Sequence, residues 1–223
     1  MLFRSCVSVT SCPAGGVLYK AIGIFKDSAA VANYPHWPGA RPGDIIFEDV
    51  NHDGVIDAND RIRIDQNGDP TYTLGLRVGA QVKKFDLTLF FQGALNAVQY
   101  FITESGDIGN FTQDFAANRW TPQNPNAPGP RAFNRQEEYW VSNWNTYFLR
   151  DASYIRLKSV EAGYHLPARV AADLGLHDVR LYASGYNLLL LDRFQVVDPE
   201  TRDSNGQYYP QQRVFNLGAS VTF

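Results

Sequence analysis

The residues best placed to do chemistry lie in one short stretch, Asp49-x-Asn51-x-Asp53-Gly54-Val55-Ile56-Asp57-x-x-Asp60. It follows the calcium-loop pattern of EF-hands. A calcium ion takes about six to eight hard oxygen ligands, and alternate residues of a tight loop aim them inward. Asp49, Asn51 and Asp53 would supply side-chain oxygens, Val55 its carbonyl, and Asp57 a contact through water. Gly54 permits the sharp turn, and Asp60 takes the closing position, where a Glu would reach further. The expected cofactor is Ca2+ in a structural role. Asp, Asn and Gly also favour turns that hold no metal, so both readings stay open. No helical pattern flanks the loop, which argues against a true EF-hand.

A second cluster is aromatic: Tyr139, Trp140, Trp144, Tyr147 and Phe148. Sugar rings stack on such side chains, which makes Trp140, Trp144 and Tyr147 candidate substrate-binding residues. The plainer expectation is a membrane-interface belt, because Tyr and Trp favour that depth in barrels. Catalysis finds no support. His36, His52, His165 and His177 are scattered without metal spacing, and no G-x-S-x-G elbow occurs. The chain does not read as an enzyme.

The elements that must position these residues are strands. The 223 residues include 14 Phe, 12 Tyr and 4 Trp, with 20 basic against 23 acidic residues, so a nucleic-acid partner is not expected. No apolar run is long enough for a transmembrane helix, but barrel strands alternate and escape such a search. Strands are expected at residues 16–25, 71–82, 86–100, 154–166, 179–189 and 213–223. Along the second, Tyr72, Leu74, Leu76, Val78 and Ala80 fall on one face; Thr73, Gly75, Arg77, Gly79 and Gln81 fall on the other. Leu87, Leu89 and Phe91 oppose Asp86, Thr88 and Gln92 in the third. The connection at Pro167–Leu176 has helical spacing. Residues 101–150 and 190–212 read as long loops, and 26–70 as a loop that carries the acidic motif.

These connections sort by length. If the last strand ends in the periplasm, every long connection falls outside and every short one inside. That is the habit of outer-membrane barrels, and a soluble sandwich has no reason to share it. The expected fold is all-β: antiparallel strands forming the C-terminal part of a large transmembrane β-barrel with long extracellular loops.

Several motifs then point to a family. GDIIFEDVNHDGVIDANDR at Gly43–Arg61 resembles a characteristic stretch of SusC/RagA-type TonB-linked outer-membrane proteins, with Phe47 in place of a Tyr. The strand pair at Tyr72–Tyr100 resembles that family's FDL-FFQG pair. LRDASYIRLKSVEAGY at Leu149–Tyr164 and VRLYASGYNLL at Val179–Leu189 are similar to its last strands but one. Phe223 resembles the terminal aromatic that serves as an assembly signal. The resemblance covers residues 16–223; residues 1–15, with Cys6 and Cys12, match nothing and are read as an artefactual start.

The resemblance implies a plugged barrel of about 22 strands that imports oligosaccharides or peptides. It implies as partners a SusD-like surface lipoprotein, the TonB complex acting through an N-terminal part, the barrel-assembly machinery and outer-membrane lipid. Six strands are too few to close a barrel, so the chain is expected to be a fragment or truncated reading frame. Lumen-facing residues would include Arg77, Gln81 and Gln92. The rival reading is a secreted calcium-binding β module that binds carbohydrate.

Overall fold

The computed structural model describes residues 16–65, 68–102, 111–133, 144–201 and 208–223. In chain order the elements are β1 (Val17–Tyr19), β2 (Ala21–Ile24), α1 (Ser28–Ala32), β3 (Ile45–Phe47), β4 (Arg61–Arg63), β5 (Tyr72–Val82), β6 (Phe85–Leu95), β7 (Val98–Tyr100), α2 (Gln113–Asn118), β8 (Leu149–Asp151), β9 (Tyr154–His165), α3 (Ala168–Asp173), β10 (Asp178–Asp192) and β11 (Val214–Thr222). They fall into two units. One is drawn from described residues within Met1–Asp69, Val98–Asp151 and Thr201–Tyr208; the other comprises Pro70–Ala97, Ala152–Glu200 and Tyr209–Phe223. Among the described residues no helix is long and apolar enough to cross a membrane, which says nothing of strands.

The second unit is one antiparallel sheet, in the order β11-β10-β9-β6-β5. Its short connections are the Lys83–Lys84 turn, with Lys83 at φ 56, and the segment carrying α3. Both join strands at the same end, so the length sorting expected from sequence holds for this sheet. Directly opposed residues of an antiparallel pair share a face. One face therefore carries Leu76, Phe91, Leu157 and Leu189 in one row, and Val78, Leu89, Val160, Gly185 and Phe215 in another. Leu76 is 58% exposed, Leu189 61% and Phe215 74%, while Leu89, Phe91, Leu157 and Val160 are half-buried. The opposite face carries Arg77, Thr88, Arg156, Glu161, Arg180 and Ser184 among others.

Alternation in β9 breaks once. Phe90 opposes Ser159 while Phe91 opposes Leu157, so Lys158 is left unpaired, and the facing irregularity in β10 lies between Tyr186 and Leu189. Asn187 there takes φ 54, and its amide donates to the Gln212 carbonyl at 3.1 Å. This bulge keeps Ser159 polar-side and Val160 apolar-side after two successive polar residues.

Two expected strands are corrected. Residues 16–25 do not form a wall strand but split at Lys20 into β1 and β2, which pair with β4 and β3. The reason is that Leu18 and Tyr19, adjacent in sequence, are both buried at 1% exposure, which a half-buried wall strand does not allow. Residues 86–100 break at Asn96, φ 55, after which β7 leaves to pair with β8. The sheet thus has five strands, not six.

The first unit is more than loops. Tyr19, Ile45, Phe47, Ile56, Phe115, Phe133 and Phe148 form its core. Residues 26–70, expected as a loop, hold α1, β3 and β4 and contribute three of those core side chains. Gly43 at φ 88 is required there: a Cβ would lie 2.7 Å from both Trp120 and Arg131. Beside it Asp44, 1% exposed, pairs with Arg131 Nε at 2.6 Å and accepts from the Arg41 N–H at 2.9 Å. Burial pushes the Asp44 carboxyl up, against the pull of these two partners.

Candidate functional site

Two places carry the polar chemistry, one in each unit. In the sheet it is the polar face. The Arg180 guanidinium meets Asp86 at 2.6 Å and Glu161 at 2.7 Å, joining three neighbouring strands. Gly163 lies beneath this group, and a Cβ there would overlap the Asp86 carboxylate and the guanidinium. A Cβ on Gly218 would likewise strike the Tyr182 ring. Phe85 and Tyr164, next to Asp86 and Gly163 in sequence, pack together on the apolar face at 4.8 Å between ring centres. Adjacent residues of the FDL and GY motifs thus serve opposite faces.

Toward the other end, Arg156 is buried with its side chain 3% exposed. It donates to Asp198 at 2.6 Å and lies 3.0 Å from Glu200 Oε1, an ion pair whose angle misses a hydrogen bond. Lys158 donates to Glu200 Oε2 at 2.6 Å, and the Gln211 amide reaches the same oxygen at 2.6 Å. Asp198 and Glu200 belong to the connection between β10 and β11, so this network fastens that connection to the polar face. Burial raises the Asp198 carboxyl, but the hydrogen bond and charge of Arg156, with backbone N–H donors at Glu200 and Gln211, outweigh it and hold the group below the usual carboxylate range. Between the two networks runs an open groove of about 420 Å³, lined by Arg77, Thr88, Phe90, Glu161, Ser184 and Tyr186. Arg77 lies on the polar face, as the alternation along the strand expects. Gln92 shares its face, in register with Arg156, and Gln81 lies exposed beyond the groove.

In the first unit the acidic loop joins β3 to β4. Asp49 Oδ2 accepts from Gly54 N at 2.9 Å, Asn51 Oδ1 from Asp53 N at 3.1 Å, and Asp53 Oδ1 from Val55 N at 2.8 Å. Asp57 caps a 3-10 turn at Ala58–Asp60. Asp60, 0% exposed, accepts from Val50 N and Asp57 N, at 2.9 and 2.8 Å. Gly54 takes φ 81 and His52 φ 59. Val55 points to solvent, while Ile56 anchors the loop in the core.

The aromatic candidates are differently placed. Trp140 and Tyr139 lie outside the described residues, as do Cys6 and Cys12. Trp144 packs on Tyr100 with ring centres 4.4 Å apart. Tyr147 packs edge-on against Phe148 at 5.1 Å and lines a small groove of about 150 Å³ with Asp114, Asn118 and Arg150. Burial pushes the Tyr147 phenol up. Phe148 is 1% exposed in the core, so a membrane belt does not describe it. Phe223 is 87% exposed after β11. Sequence reading missed both ionic networks, whose members lie 94 and 42 residues apart. The one available signal was the polar pair Lys158-Ser159 that breaks the alternation.

No family model matches the chain. Over 200 residues it is 34% identical to a curated TonB-dependent receptor of Formosa agariphila, covering 82% of this chain and 19% of that protein. A second TonB-dependent receptor of the same organism is 31% identical over 200 residues, 81% of this chain and 20% of the relative. The chain therefore spans about a fifth of the length of the curated relatives it matches. The solved RagAB peptide transporter superposes with a TM-score of 0.72 at 21% identity, over 99% of this chain and 24% of that one. The RagAB peptide importer in its open-open state gives 0.66 at 22%, over 93% of this chain and 22% of that one. At such identity the likeness shows the fold. The relatives are named receptors and transporters, not enzymes. By sequence over 82% of its length this chain belongs to the TonB-dependent receptors, and over 99% of it the fold is shared with the RagAB peptide transporter.

Proposed function

We propose that the five-stranded sheet is wall of an outer-membrane barrel in a TonB-dependent importer of oligosaccharides or peptides. The observation that carries this is the division of the sheet. One face is apolar, with the row Val78, Leu89, Val160, Gly185 and Phe215 crossing all five strands and Leu74, Leu76, Val78, Leu87, Leu181, Leu189, Phe215 and Leu217 exposed, while the other face holds the ionic networks and the groove. Facing lipid costs such side chains nothing, whereas facing water would leave a large apolar patch uncovered. In a secreted sandwich these side chains would pack against a second sheet and be buried. The apolar face is lipid-facing and the polar face lines the lumen. The strands β5 and β11 have free outer edges among the described residues. Unpaired edges are not tolerated in lipid, so further strands complete the wall.

On this reading the importer works with a SusD-like surface lipoprotein, takes its energy from the TonB complex through a part outside this sheet, and is inserted by the assembly machinery through Phe223. Trp144 and Tyr147 are the described aromatic candidates for substrate contact. The test is fractionation of the native bacterium. The chain should appear in outer membrane, resist extraction by high salt and carbonate, and dissolve only in detergent. Uptake of a labelled oligosaccharide or peptide should need both the gene and an energised inner membrane. Recovery of the chain from the soluble or secreted fraction would overturn the proposal.

A further inference from the structure

We propose that the loop Asp49–Asp60 binds a calcium ion that staples the first unit, independently of what the sheet does. Four carboxylates, Asp49, Asp53, Asp57 and Asp60, stand within this loop, and among the described residues none of them is paired with a lysine or arginine. The decisive group is Asp49. It is 8% exposed, its Oδ2 is held across the loop by Gly54 N–H, and its buried Oδ1 has no hydrogen-bond partner. A buried carboxylate oxygen left without a donor is costly, and a hard cation is the partner that would satisfy it. Among the described residues no three acidic, histidine or cysteine side chains already stand together as a metal centre. The proposed ligand set therefore rests on Asp49 with neutral oxygens, the Asn51 amide oxygen and the Val55 carbonyl, and Asp53 completes it. Such a set, flexible and rich in neutral oxygens, suits calcium better than magnesium, which demands a tight octahedron.

The loop's place explains what the ion does. It joins β3 and β4, which pair with the successive strands β2 and β1. Ile56 fixes its middle in the core. Closing the loop on a cation therefore ties two small sheets that share no strand. Asp60 accepts from Val50 and Asp57 N–H, one on each carboxylate oxygen, and so closes the loop on itself.

Terbium luminescence tests this on the full chain purified in detergent. The Tyr34 hydroxyl lies 3.4 Å from Asp49 N and is the natural sensitiser. Terbium emission excited through tyrosine should rise on binding, fall when Ca2+ is added, and resist tenfold higher Mg2+. Asp49→Asn, which keeps an acceptor for Gly54 N–H, should weaken displacement by Ca2+ at least tenfold. Asp53→Asn, at an exposed position, should do the same without disturbing the fold. Asp173→Asn, on the exposed side of α3, should change nothing. Emission that Ca2+ does not displace, or that both loop variants leave unaltered, would overturn the proposal. If Asp49→Asn alone alters the calcium-free tryptic pattern, Asp53→Asn decides.

Discussion

Arginine placed at Val78 probes the two faces of the sheet most sharply. Val78 is 45% exposed and opposes Leu89 on the row that continues through Val160, Gly185 and Phe215. It lies one residue from the middle of β5, which has 11 residues. At about 3.4 Å per residue β5 is about 37 Å long, and a tilt of about 45° brings it to a span of about 26 Å. That matches the apolar band of outer-membrane barrels, about 25 Å tall. Val78 thus sits near the bilayer midplane, where arginine costs about 2–4 kcal/mol. At about 1.4 kcal/mol per decade, the folding constant should fall roughly 30- to 700-fold. Thr88→Arg is the matched control. Thr88 lies on the opposite face beside Glu161, so a cation there should cost little. The assay is a reversible urea titration, in phosphatidylcholine vesicles, of the completed barrel that carries this sheet, followed by tryptophan emission and by heat-dependent gel migration. Equal shifts for the two variants, or a larger shift for Thr88→Arg, would refute a lipid-facing apolar surface.

Removing Arg156 should take the guanidinium away from the buried Asp198 and leave Glu200 to Lys158 and Gln211. Arg156→Met is expected to cost about 3–5 kcal/mol and to expose the connection between β10 and β11 to protease and hydrogen exchange. Adding Asp198→Asn and Glu200→Gln should recover much of that loss. Gly163→Ala should destabilise the sheet by about 1–3 kcal/mol, measured by the same titration, because its Cβ displaces the Asp86–Arg180 pair. The pH response of the Arg156 network follows from the depressed Asp198 carboxyl. A group with a lowered folded-state value contributes stability above its unfolded value and loses it as the pH falls through the folded one. Protection of the connection should therefore persist as the pH drops into the ordinary carboxylate range and fail only below it. Loss of protection near neutral pH would contradict this.

Much of the sheet was legible in the residues alone. A period of two sets which side chains share a face whatever the partner strand is. Tyr72, Leu74, Leu76 and Val78 could therefore be assigned together before any pairing was known. The order of long and short connections was legible for the same reason, since strand length and polarity are local properties. The acidic loop was visible as spacing, and its turn chemistry follows from Asp, Asn and Gly reaching backbone N–H groups two to five residues away.

Tertiary structure decided the rest. Leu18 and Tyr19 look like part of a wall strand, and only the tertiary structure shows that both are buried, Tyr19 in the core with Phe47 and Phe148. Nothing near Asn96 announces that β7 departs from the sheet, because its partner β8 lies some fifty residues on. Trp144 and Tyr147 read as free platforms, but they are packed on Tyr100 and Phe148. Nothing in the sequence marks Arg156 or Arg180; their carboxylate partners come from distant strands and connections. Face and turn are set by neighbours along the chain, whereas burial and ion pairing depend on which distant segments meet.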